Sequence, residues 1–257
     1  MDNIEITCDA FHRGRFYLLQ PKKIGHRSGV DAMLLASSVS SNFSGNLVDL
    51  GSGVGAVAYA VLSRCKNAKA TLVENDPFMI ELAEKTLNLP QNTEFLERIR
   101  ILKADIGVTG QQRIKSGLID NYFDFALINP PFNAWYETKT PRLLKQHAHV
   151  MQQNMIEQWI KTAAIILKSK AYLAMIARPF CLAEILHNLE KYFGDINIVA
   201  IHSKRKQNAN RIIILARKAS KKPLSIKPAL ILHSDEDSSF LPEIEELLNG
   251  KKSIFDI

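Results

Sequence analysis

From about Asn46 the chain alternates short, β-branched apolar runs with longer stretches whose apolar residues recur at helical spacing. That alternation is the pattern of a mostly parallel sheet covered by helices. The spacing predicts strands over Leu47–Leu50, Ala70–Val73, Ile99–Lys103, Phe123–Ile128 and Tyr172–Ala177. Helices are expected over Ala56–Arg64, Pro77–Leu89, Met151–Leu167 and Cys181–Tyr192, the second entered through an Asp76 cap and a proline at its first position. Two last strands, Ile196–His202 and Arg211–Ala216, are joined by the polar turn Ser203–Asn210 with no intervening helix, which makes them antiparallel by default. The expected fold is α/β: a doubly wound, mostly parallel, seven-stranded sheet with its last strand antiparallel.

Upstream, residues 1–45 read as an extension with a basic stretch, Pro21–Arg27, and a helical pattern over Val30–Val39. Downstream of a core at 46–218, residues 219–257 read as a tail with an acidic segment, Asp235–Asp237, and a short amphipathic helix at Pro242–Leu248. Neither end has the makings of a separate domain, so all 257 residues are expected to form one. An apolar fraction of 46% and a charged fraction of 23% suit an ordinary globular core. Three widely spaced cysteines suggest neither a disulfide framework nor a zinc site. The N-terminus lacks the basic-then-apolar order of a signal peptide, and no run approaches the ~18 apolar residues that would span a bilayer. A cytoplasmic protein is expected. A net charge of +7 favours a polyanionic partner.

The first strand leads through Val48-Asp49-Leu50-Gly51-Ser52-Gly53-Val54-Gly55 straight into a helix. Glycines at the carboxyl edge of a first strand let the backbone turn sharply and approach a nucleotide. Gly51-x-Gly53-x-x-Ala56 also suits a nicotinamide dinucleotide, and either ligand wants an acidic residue about 20 positions later. Glu74, with Asn75 after it, ends the second strand and can accept two ribose hydroxyls. Two carboxylates separate the readings. Asp49 has no task in a dinucleotide fold, whereas the ammonium group of S-adenosylmethionine gains an acceptor there. Asp105, in Ala104-Asp105-Ile106 at the end of the third strand, can accept from an adenine amino group while Ile106 lies against the ring; a turn or cap is its alternative role.

The fourth strand runs into Asn129-Pro130-Pro131-Phe132. Two prolines fix φ and remove two backbone donors, leaving a stiff loop with the Pro130 carbonyl free. If Asn129 Oδ1 and that carbonyl each accept one N–H of a planar amino group, its nitrogen becomes more tetrahedral and presents a lone pair for in-line displacement. No strong base is required, because the alkylated nitrogen is acidic. Phe132 is placed to stack on an extruded base.

On these residues the chain resembles the class I S-adenosylmethionine-dependent amino methyltransferases with an Asn/Asp-Pro-Pro-Tyr/Phe motif. Among them it is most similar to the tRNA adenine-N6 methyltransferases acting on the purine 3′ of the anticodon in a valine tRNA. The likeness extends to Gln20-Pro21 and the basic turn after it, to Gly29-Val30-Asp31-Ala32 with Leu34-Leu35-Ala36, and to Ala216-Arg217-Lys218-Ala219-Ser220. It implies a Rossmann-like fold with Asn129, Pro130, Pro131 and Phe132 as the catalytic tetrapeptide. It also implies a cofactor site of Asp49, Gly51, Gly53, Gly55, Glu74, Asn75, Asp105, Ile106 and Asn129, closed on one side by Gly29 and Asp31. The chain departs from the family at Leu167-Lys168-Ser169-Lys170-Ala171, where Pro-Gly-Gly is common, and at Phe132, where tyrosine is common among adenine enzymes and phenylalanine is frequent in guanine-N2 enzymes.

Candidate RNA contacts are Arg13, Arg15, Lys22, Lys23 and Arg27 near the start, and Lys139, Arg142 and Lys145 beyond the tetrapeptide. Trp135 lies in the same downstream segment, Asn133–Val150, which we read as a loop over the substrate. Lys204, Arg205, Lys206 and Arg211 in the last hairpin form a third candidate group of phosphate contacts, set behind the other two because lysine clusters in loops are usually solvated surface. His147 and His149 lack a third ligand, so no metal is expected. The implied partner is RNA, in particular tRNA, bound by a monomer without a membrane. A glutamine-N5 protein methyltransferase, a guanine-N2 rRNA methyltransferase and a non-catalytic RNA-binding protein are the competing readings.

Overall fold

Val48, Leu50, Leu72, Val73, Ala126, Leu127 and Ile128 are all fully buried, as strands must be when helices cover both faces of a parallel sheet. The computed structural model describes residues 4–22, 29–131 and 155–254. Along them run β1 (Ile6–Phe11), β2 (Phe16–Pro21), α1 (Val30–Ala36), β3 (Gly45–Leu50), α2 (Ala56–Leu62), β4 (Ala68–Glu74), α3 (Pro77–Leu87), β5 (Ile99–Lys103), α4 (Gly110–Lys115) and β6 (Phe123–Ile128). After them come α5 (155–166), β7 (Leu167–Ala177), α6 (Leu182–Leu189), β8 (Phe193–His202), β9 (Ala209–Lys218), β10 (Ser225–Ile226), β11 (Leu230–Ile231) and α7 (Pro242–Leu248).

The central strands are ordered β5-β4-β3-β6-β7-β9-β8, all parallel except β9, which is antiparallel to both neighbours. This is the expected seven-stranded arrangement, and β10 and β11 extend it in parallel along the outer edge of β8. The chain winds outward from β3 to β5 and then returns to β6 on the other side of β3. The order therefore reverses between β3 and β6, where doubly wound sheets open a crevice at the carboxyl edge. One apolar layer, with Leu35, Tyr59 and Leu82, covers one face; a second, with Ile160, Leu173 and Ile185, covers the other.

Two expectations change. The Leu167–Ala171 segment is part of β7 rather than a turn before it. Lys170 takes φ 65°, and the β6 pairing slips between Phe123 and Phe125, so an irregular bulge does the work of the missing Pro-Gly-Gly. Residues 1–45 contain the antiparallel hairpin β1–β2 as well as α1. Phe16 and Leu18 of β2 are fully buried, and the Phe16 ring stacks on Tyr59 at 5.7 Å. β2 is fastened to the core by Tyr17 N donating to Asn92 Oδ1 at 3.0 Å and Leu19 N donating to Thr86 Oγ1 at 3.1 Å.

The hairpin turn is anchored by a 2.9 Å hydrogen bond between His12 Nδ1 and Ser63 Oγ, just past the end of α2. Burial, with help from Arg15 and Arg64, pushes the His12 pKa down to about 4, so the ring is neutral at physiological pH. Against this ring packs the tail: a Cβ added at Gly250, φ +68°, would stand 2.6 Å from His12 Cε1. Gly250→Ala therefore meets both a left-handed backbone and a collision. It is expected to cost about 2 kcal/mol, seen as a melting temperature lower by about 4–8 °C; an unchanged melting curve would contradict the contact.

Candidate active site

Leu50 and Ile128 are paired across β3 and β6, so the glycine loop and Asn129 emerge side by side from adjacent strands. The loop is built by its own backbone. Gly51 N and Ser52 N both donate to Val73 O, at 2.9 and 3.0 Å, and Gly55 N donates to Ser52 O at 2.8 Å. Gly51 takes φ +72°, and a Cβ there would lie 2.6 Å from the Trp159 ring; at Gly55, φ +91°, a Cβ would lie 2.6 Å from Leu72 Cδ1. Both positions thus need glycine for conformation and for space.

Glu74 fastens the loop to the end of β4. Its Oε2 accepts from Gly53 N at 2.8 Å, while Oε1 accepts from Asn75 N at 2.9 Å and Asp76 N at 3.0 Å. By lone-pair count Oε2 keeps one site for a ribose hydroxyl, whereas Oε1 already accepts two N–H bonds. Asp105 is exposed and its Oδ1 accepts from Gly107 N at 2.7 Å, so the turn role is realised and Oδ2 remains available. Ile106, 5% exposed, has its carbonyl fixed by Thr162 Oγ1 of α5 at 2.8 Å.

Asp49 is 1% exposed. Burial pushes its pKa up to about 7; the Ala58 N–H draws it down and Glu74 raises it further. Its Oδ2 has no hydrogen-bond partner among the described residues. A buried, unpartnered carboxyl oxygen is costly unless a ligand completes it. A cationic ammonium group is the partner that would do so, which fits S-adenosylmethionine beside the loop.

The Asn129 side chain is half-buried and makes no hydrogen bond to another described residue; Pro130 is buried behind it and Pro131 is exposed. Asp31 is engaged elsewhere, in an ion pair with Arg211 of β9, and Gly29 caps the same α1 turn. Their helix α1 packs against α2, which opens at Gly55 of the glycine loop, and against β7. Arg15 lies in the β1–β2 turn, whose His12 bonds Ser63 at the C-terminal end of α2, so it stands toward the amino edge of the sheet, away from Asn129 at the carboxyl edge. Lys22 is at the other end of that hairpin, paired with Glu5 at 2.5 Å. Lys23, Arg27, Phe132, Trp135, Arg142, Lys145 and the whole Asn133–Val150 segment, with His147 and His149, lie outside the described residues. So does the start of the helix expected from Met151.

Sequence reasoning missed the part played by α5. Its Trp159 covers Gly51, and its Gln158 Oε1 would be 2.9 Å from a Cβ on Gly107, so one helical turn backs both the glycine loop and the Asp105 turn. Helical periodicity alone assigns Trp159 to a core stripe and cannot say which loop it touches.

A parallel sheet with one reversed final strand, opened at its carboxyl edge between a glycine loop and a strand-end acidic residue, is the class I S-adenosylmethionine-dependent methyltransferase architecture. Residues 27–206 match the model of the methyltransferase small domain, and the chain belongs to that family. It is 26% identical, over 72% of its length and 74% of the relative's, to a tRNA1(Val) (adenine(37)-N6)-methyltransferase of Pedobacter heparinus. Among solved structures it is similar to one described as a predicted O-methyltransferase from Agrobacterium tumefaciens, at 34% identity and TM-score 0.76, covering 87% of this chain and 97% of that one. Pyrococcus horikoshii TYW2 in complex with MeSAdo shares the fold at 13% identity and TM-score 0.56, over 86% of this chain and 74% of that one. Among the described residues no helix is long and apolar enough to cross a membrane, and no group of three His, Cys, Asp or Glu could hold a metal.

Proposed function

We propose that the protein transfers a methyl group to the N6 amino group of an adenine next to the anticodon of a valine tRNA. The observation that carries this reading is Asn129-Pro130 leaving β6 one strand from the glycine loop, with its side-chain amide unpartnered among the described residues. Two acceptors, Asn129 Oδ1 and the Pro130 carbonyl, match the two N–H bonds of an exocyclic amine. When bound, S-adenosylmethionine supplies an electrophilic methyl carbon. Asn129 and Pro130 hold the amino group so that its lone pair points toward that carbon, and the stiff diproline loop keeps them from relaxing away. The proton is lost to water after transfer. A hydroxyl acceptor would need a base at the reacting oxygen, and an asparagine cannot take a proton; this favours nitrogen over the oxygen chemistry named for the Agrobacterium structure.

The similarity to the Pedobacter tRNA enzyme and the net charge of +7 support RNA over protein. An unpaired anticodon-loop base is easily extruded, so bringing it to Asn129 costs less than flipping a base out of a duplex. Phe132 would stack on that base, with Lys22, Lys23, Arg27, Trp135, Arg142 and Lys145 around it. The reading has the enzyme working as a metal-independent monomer in the cytoplasm.

Methyl-labelled S-adenosylmethionine incubated with total tRNA, rRNA and protein extract, followed by digestion, is expected to place label in N6-methyladenosine from tRNA. Label in methylglutamine or in N2-methylguanosine, with none in methyladenosine, would overturn the assignment of the acceptor.

A further inference from the structure

β7 starts at the amino edge of the sheet directly where α5 ends, so the helix runs back from the carboxyl edge and its first turns stand where the crevice opens. Two contacts fix it there. Thr162 Oγ1 donates to Ile106 O at 2.8 Å, and the rim of the Trp159 ring packs against Gly51. Gln158 lies one helical turn before Thr162 on the same face, and is thereby carried past Ile106 toward the cleft.

There its amide meets the Asp105 turn. A Cβ added at Gly107 would stand 2.9 Å from Gln158 Oε1 and 3.2 Å from Asp105 Oδ1, so the amide and the carboxylate flank one small space that glycine leaves open. Gly107 is not among the glycines at positive φ, and it is space rather than conformation that asks for glycine here. Gln158 is exposed, yet its head group rests on this turn, and it makes no hydrogen bond to a described residue. Both functions of the amide are therefore unspent.

With Oδ1 held by Gly107 N, Asp105 has Oδ2 for one of the two N6–H bonds of an adenine, and it has no donor for a ring nitrogen. A glutamine amide matches what is left. Its oxygen accepts and its NH₂ donates, which is the pairing glutamine makes with N6 and N7 of adenine in nucleic acids.

We propose that Gln158 is a specificity residue for the methyl donor, its amide pairing with one N6–H and N7 of the adenine whose other N6–H is accepted by Asp105 Oδ2. This rests on the reading of the Asp105 turn as the adenine site. It gives α5 a direct part in recognising the cofactor as well as backing the loops that hold it.

The test compares, by calorimetry on the full-length protein, the binding of S-adenosylhomocysteine and of its 7-deaza analogue, which has a C–H in place of N7. The parent is expected to bind the first about tenfold more tightly, and Gln158→Ala to abolish that preference. Gly107→Ala, whose Cβ displaces the amide, should diminish it in the same direction. Alanine suits a helix surface and the ordinary φ at position 107, so both variants are expected to fold. A merely structural glutamine would weaken both ligands equally when removed. A preference that survives Gln158→Ala, or a parent that has none, would overturn the pairing. Parental affinity for S-adenosylhomocysteine in Asp105→Ala would instead overturn the adenine site on which it stands.

Discussion

Alanine at position 129 is expected to lower kcat about 10²- to 10³-fold, the usual effect of deleting one preorganised polar group at a reacting centre. Cofactor affinity should fall only slightly. The loss is large because Asn129 leaves β6 on a backbone stiffened by Pro130 and Pro131, and its amide has no described partner to compete for it. It is incomplete because the Pro130 carbonyl still accepts one N–H. Asn129→Asp keeps an acceptor oxygen and should retain more activity than Asn129→Ala. Single-turnover rates with labelled cofactor, alongside calorimetric cofactor binding, separate the two effects. An alanine variant with parental turnover would move the chemistry away from this loop.

Asp49→Asn is the second large expectation, and its two effects oppose each other. Burial raises the Asp49 pKa to about 7, whereas in the unfolded chain an aspartate titrates near 3.9. As pH rises from about 4 to about 7 the unfolded state releases this proton and the folded state keeps it. The folded state loses stability through that window, and the full penalty remains above pH 7. Asparagine removes the penalty, so the cofactor-free variant should be more stable than the parent at pH 8 by about 2–4 kcal/mol, and no more stable at pH 4. Cofactor binding should change in the other direction. A cationic ammonium group prefers the ionised carboxylate, so parental affinity should climb about tenfold per pH unit up to about 7 and then level off. The variant should bind more weakly and without that slope. Chemical denaturation at the two pH values and titrations across the range check both; identical affinity profiles for parent and variant would exclude Asp49 from the cofactor site.

The seven central strands were legible because burial on both faces leaves continuous apolar runs such as Phe125-Ala126-Leu127-Ile128. The glycine loop and tetrapeptide were legible because their positions at strand ends follow from that order. Other elements lacked such a signal. β1 alternates only between exposed and half-buried residues, and its turn places His12 and Arg13 at positive φ, which residue type does not announce. α4 spans six residues and buries only Arg113, so it has no apolar stripe to detect. β10 and β11 are two-residue pairings that depend on where β8 lies. Site residues divide in the same way. Asp49, Gly51 and Glu74 follow from local chemistry, whereas the pairing of Asp31 with Arg211 spans 180 positions and the Trp159 contact with Gly51 depends on how α5 packs.

Glu74 spends its carboxylate on three backbone amides of the protein itself: Gly53 in one loop, Asn75 and Asp76 in the next. On the proposed reading, the protein's own hydrogen bonds tie together the two loops that would cradle the nucleoside, so encounter is not expected to wait for a loop to order. Association is expected to be limited by entry into the cleft, so affinity differences among nucleoside analogues should be expressed in how fast each one leaves.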